Sequence, residues 1–122
     1  MRLFKKKKKE VSDFYIQVAD ETAKMRNIQK REISRIYNRI ESDLHGKILE
    51  AAQNGSTCLS IPGDYFKKVF SENNTLTWND RYIDGWVRLM VETNDRLEEE
   101  GFGVCEDIPT SGIKILWNAA RR

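Results

Sequence analysis

The sequence predicts an α+β fold: a long N-terminal helix, then a small three-stranded antiparallel or mixed sheet covered by helices. Three observations predict it. Residues 12–53 contain no proline and a single glycine, Gly46. After Gly55 the apolar spacing changes from helical to alternating. Pro109-Thr110-Ser111-Gly112 then separates two short apolar segments, with the chemistry of a hairpin turn.

The first helix is predicted from about Ser12 to Gln53. Ser12 is a suitable N-cap, Asp13 suits the first turn, and Asn54-Gly55 is a stop. Ile33, Ile36, Tyr37, Ile40, Leu44, Ile48 and Ala51 form one apolar stripe, opposite Arg35, Arg39, Asp43 and Lys47. Upstream, Val11, Tyr15, Val18, Thr22 and Met25 recur at four-three spacing, the pattern of a short coiled-coil seam. The seam then reaches Gln29 and Glu32, so the helix is expected to change partner or break near Asn27. A straight helix over this range spans roughly 63 Å, against a radius of gyration of about 14 Å for a compact chain of this size. Phe14, Tyr15, Val18 and Met25 are therefore expected to lie against another chain, the alternative being a bent helix wrapped on its own core.

Thr57 to Ile61 alternates and reads as a strand closed by Pro62-Gly63. Asp64 is the expected cap of a short helix through Tyr65, Phe66, Val69 and Phe70, and Ser71 to Thr77 the loop after it. Asn79 to Glu100 reads as a further helix, with Trp78 and Ile83 placed as a hydrophobic staple and Gly101 as the stop. Its expected core face is Ile83, Trp86, Val87, Met90, Asn94 and Leu97, with Tyr82 and Leu89 at the margin as interface candidates. Phe102–Glu106 and Ile113–Trp117 complete the sheet, Trp117 in phase with Ile113 and Ile115. The resulting organisation is a basic arm at 1–10, an extended helical interaction segment at 11–32 and a compact α+β domain at 33–122.

Charge is uneven along the chain. Arg2 and Lys5 to Lys9 hold six of the 21 basic residues; the other 15 face 19 acidic ones, leaving a folded part with a surplus of negative charge. That pattern excludes a basic nucleic-acid-binding body. The arm itself has three readings: a solvated tail, a non-specific phosphate contact, or a contact to an acidic protein or membrane surface. No apolar run is long enough for a membrane span, and the arm lacks the apolar segment of a secretory leader, so a cytoplasmic protein is expected. Cys58 and Cys105 form no Cys-x-x-Cys pair and read as free thiols in a reducing compartment, a 58–105 disulfide being the alternative.

Catalytic patterns are missing. His45 is the sole histidine and reads as a surface residue. Glu98-Glu99-Glu100 precedes a glycine stop and reads as a solvated face, although anions there oppose the helix dipole. Gly101-Phe102-Gly103 lacks the third glycine of a dinucleotide fingerprint, and no Gly-Lys-Ser/Thr loop is present. Accordingly no catalytic residue, metal, cofactor or small-molecule substrate is expected.

The run ILEAAQNGSTCLSI at 48–61, the helix ending EEEGFGV and the closing IKILW together resemble small accessory proteins of tailed bacteriophages, over residues 33–117. The aromatic stretch at 65–86 departs from that group. The resemblance implies a setting, a virion component or host-takeover factor in the virion or host cytoplasm, and brings no catalytic residues.

Two functions follow as expectations. The first is a protein-interaction module, self-assembling or docking on a partner through Phe14, Tyr15, Val18 and Met25, with Tyr82 and Leu89 as further contacts. The alternative is a nucleic-acid-associated protein that uses Arg2, Lys5, Lys6, Lys7, Lys8 and Lys9 on phosphates, extended by Lys24, Arg26, Lys30 and Arg31. Asp20-Glu21 interrupts that extension.

Overall fold

The computed structural model describes residues 11–78 and 85–118. In chain order they form α1 (Asp13–Gln53), β1 (Cys58–Ile61), α2 (Gly63–Asn73), α3 (Gly85–Glu99), β2 (Gly103–Asp107), a 3-10 turn (Ile108–Thr110) and β3 (Gly112–Leu116). The fold is α+β, as the patterning predicts. The chain divides into two units, one ending at Arg31 and one starting at Glu32. Among the described residues, no helix is long and apolar enough to cross a membrane.

Both ends of α1 use their predicted caps. Ser12 Oγ accepts from the Tyr15 amide at 3.0 Å, satisfying one of the free donors of the first turn. At the other end Gly55 takes φ +88°, which a side chain would resist. That bend lets the Gly55 and Ser56 amides donate to the Ala52 and Ala51 carbonyls at 2.9 and 3.0 Å, a Schellman closure. The helix runs through Asn27 without a break.

In the unit from Glu32 onward, the stripe Ile33, Ile36, Tyr37, Ile40, Leu44 and Ile48 is buried as its spacing predicts. It joins Ile61, Phe66, Leu89, Leu97, Ile113 and Ile115 in one core cluster. The sheet is fully antiparallel with strand order β1-β3-β2. Leu59, Ile115 and Val104 stand in register across it, so the alternating apolar face meets the helices. Cys58 and Cys105 lie exposed on the outer strands, with β3 between them, and are free thiols.

Several expectations are corrected. Asp64 is not the cap of α2: Pro62 holds that position, its carbonyl accepting from the Tyr65 amide at 3.1 Å, and Asp64 lies in the first turn. The helix also runs on to Asn73, into the segment expected to be loop. Asn79, Tyr82 and Ile83 lie outside the described residues. On α3 the buried row is Gly85, Leu89, Thr93 and Leu97, at four-residue spacing, while Trp86, Val87, Met90 and Asn94 are half-buried beside it. Gly85 decides that row, because the Phe70 ring fills the space where a side chain would stand. Trp117 is half-buried beyond the end of β3, edge-on to Phe102 at 6.1 Å. The turn before β3 is a 3-10 turn ending in a left-handed Ser111.

Two substitutions test this packing. A Cβ at Gly112 would collide with the Ile61 carbonyl where β1 and β3 meet. Gly112→Ala is therefore expected to destabilise the fold by about 2–3 kcal/mol in denaturant unfolding. The Tyr37 hydroxyl is buried with no hydrogen-bond partner among the described residues, and burial, reinforced by Glu41 and Glu100, pushes its pKa up to about 12. Removing it relieves an unmet polar group, so Tyr37→Phe is expected to stabilise by about 1 kcal/mol in the same assay.

Candidate interaction surface

The unit ending at Arg31 carries its apolar side chains on the outside. Val11, Phe14, Tyr15, Ile16, Val18, Met25 and Ile28 are between 40% and 72% exposed. At about 100° per residue, Tyr15, Val18, Thr22, Met25 and Gln29 fall within an arc of about 80°, while Val11, the first residue of the expected seam, precedes the helix. Phe14, Glu21 and Ile28 border the arc on one side, Ala19 and Arg26 on the other, and Ile16 lies nearly opposite. The one hydroxyl in the arc other than that of Tyr15 is already satisfied, since Thr22 Oγ1 donates to the Val18 carbonyl at 2.9 Å. Glu21 pairs with Lys24 at 3.1 Å in its own turn. Arg26 has no ion-pair partner among the described residues. Isolated exposed apolar residues are ordinary; here several share one helix, with Thr22 and Gln29 among them.

The predicted interface residues divide into three groups. Phe14, Tyr15, Val18 and Met25 are exposed together on this helix. Leu89 does not belong with them: it is fully buried in the α3 row, because the packed face of that helix turns on Gly85 and Leu97 instead of Trp86. Tyr82 lies outside the described residues, as do Arg2 and Lys5 to Lys9. Lys24, Arg26, Lys30 and Arg31, the proposed extension of the arm, are all exposed.

The other unit holds a second feature that sequence reasoning missed. Ile48, Leu49, Ala52, Phe102 and Trp117 line an apolar groove of about 460 Å³, with His45 and Glu100 at its edge. Leu49 is 59% exposed there, off the buried stripe of α1. His45 Nε2 lies 3.0 Å from Glu100 Oε1, so the last glutamate of the acidic run has a structural partner. Glu41 completes a trio whose ligand atoms all lie within 4.8 Å of one another. Imidazole and carboxylates are ligand types that zinc accepts, but this set is partly exposed and its imidazole nitrogen already faces Glu100. The signal available in the sequence was the four-residue spacing of Glu41 and His45, which puts both on one helix face.

No protein-family model matches the chain, and no curated protein or solved structure matches it either.

Glu32 marks the change in character along α1. It is 7% exposed and accepts from Arg35 Nε and Nη2, both at 3.0 Å, in a two-pronged fork. The Thr75 amide and hydroxyl donate to the same carboxylate at 2.7 and 3.0 Å, and Arg35 Nη2 donates to the Asn73 carbonyl at 2.6 Å. One carboxylate thereby holds the end of α2 and the segment after it against α1. The Arg35 fork holds the Glu32 pKa below the ordinary glutamate value of 4.5. Its stabilising effect is therefore complete above that value and fades as pH falls through the lower, folded one. Glu32→Gln is expected to cost about 2 kcal/mol near neutral pH. Stability measured against pH should also fall less steeply in the variant than in the unaltered chain below pH 4.5.

Proposed function

We propose that this protein is a protein-interaction module that works by docking the exposed face of its N-terminal helix, rather than by catalysis. The observation that carries this reading is the row Phe14, Tyr15, Val18 and Met25, unburied on one helix within twelve residues. Burying such side chains contributes about 1.5–3 kcal/mol each relative to leaving them in water, so this face gains substantially from a partner surface. The row also has the four-three spacing of a helix that packs against another helix. In the phage setting that the sequence resemblance implies, the module serves as a virion component or a host-takeover factor.

Paired substitutions at the centre of the face test the reading. Tyr15→Asp with Val18→Asp should return an associating full-length chain to monomer mass in light scattering. The same pair should leave the unfolding free energy of the compact unit within about 0.5 kcal/mol, since both side chains are exposed. Association that survives the pair, or an unaltered chain that stays monomeric at every concentration, would count against it.

A further inference from the structure

The polar residues on and beside the exposed face specify what fits it; this step rests on the docking reading above. In a paired-helix seam the a and d positions form the contact, and the charged e and g positions beside it set partner and orientation. Within the helix the four-three spacing places Val18 and Met25 at d and Tyr15, Thr22 and Gln29 at a. Glu21 is then a g residue and Arg26 the e residue five positions later. In a parallel pair a g residue lies beside the e residue five positions on in the partner helix. In an antiparallel pair g faces g and e faces e, so Glu21 and Arg26 do not meet.

The seam itself gives an independent argument. Parallel, in-register helices put each a residue against its own equivalent. The Gln29 amide then meets a second Gln29 amide, donor to acceptor, and Thr22 meets a Thr22 whose hydroxyl is already bonded within its own helix. Antiparallel helices put a against d, Thr22 against Val18 and Tyr15 against Met25, and leave Gln29 beyond the start of the partner helix at Asp13. That arrangement forgoes the amide pair. Arg26, exposed and without an ion-pair partner among the described residues, is available for a contact from outside the chain. At the far end the seam stops where Glu32 and Ile33 become buried in their own unit.

We propose that the partner is a second copy of this chain, its helix parallel and in register over residues 13–29, with Glu21 of each copy beside Arg26 of the partner subunit. The two symmetric ion pairs fix the orientation; the apolar d residues and Tyr15 supply most of the contact.

Disulfide trapping of the full-length chain reads the orientation directly, in a background with Cys58→Ser and Cys105→Ser to silence the exposed thiols. Met25→Cys should link to itself on oxidation. In an antiparallel pair two such residues stand about ten positions apart along the axis, about 15 Å, beyond reach of a disulfide. Charge reversal provides the second readout in sedimentation equilibrium. Glu21→Arg or Arg26→Glu alone should weaken the dimer by about tenfold, and the two together should restore it. A dimer in which Met25→Cys links only to Tyr15→Cys of a mixed partner chain would overturn the parallel pairing while leaving the docking reading intact. A monomer by sedimentation would overturn both.

Discussion

The compact unit depends on the apolar stripe of α1 from Ile33 to Ile48. Three short strands and two short helices offer too little apolar surface to close a core among themselves. Among the described residues, half of the buried hydrophobic side chains come from that stripe, and Ile36, Tyr37 and Leu44 are fully enclosed. A helix this long would be a poor economy if its only role were to cover a three-stranded sheet. Its two halves do different work: the second is the floor of a core, and the first carries a row of apolar side chains that its own unit leaves in water.

Glu32 is where one role gives way to the other. A carboxylate is an expensive thing to enclose, and here it is tolerated because four donors from Arg35 and Thr75 satisfy it. Desolvation of the enclosed carboxylate offsets part of the attraction, while Arg35 stays partly exposed. The arrangement also adds geometric definition. Arg35 and Arg39 both reach Asn73, so the end of α2 is placed by directional bonds rather than by apolar contact alone.

Much of the architecture was readable from residue order. Ser12 and Gly55 gave the ends of α1 because capping is local chemistry, and the Ile33–Ile48 stripe gave its buried face because the 3.6-residue period is strong over many turns. The failures have physical reasons. On α3 helical spacing points to a face through Trp86, Val87 and Met90, whereas the Phe70 ring packed on Gly85 puts the buried row on Leu89, Thr93 and Leu97. Asp64 looked like a cap because its side chain suits one, yet the chain enters α2 through the fixed φ of Pro62. The buried Glu32 was visible only as a polar residue at a seam position, since its partner Thr75 is far away in sequence. The same limit applies to the groove beside Leu49: Phe102 and Trp117 come to it through β2 and β3, and no local pattern announces that meeting.

The strand order has a consequence for how this chain comes into being. Among the described residues β1 and β2 do not pair with each other; each pairs with β3, the last of the described strands. On a polypeptide growing from its N terminus, β1 therefore waits through the synthesis of both intervening helices with its backbone donors and acceptors facing water. Neither ladder can form until Gly112–Leu116 arrives, since that strand has a neighbour on either side. The β2–β3 ladder is a local hairpin, whereas the β1–β3 ladder is governed by contacts distant in sequence, and a chain interrupted before β3 holds unpaired strand edges rather than a smaller version of the same sheet.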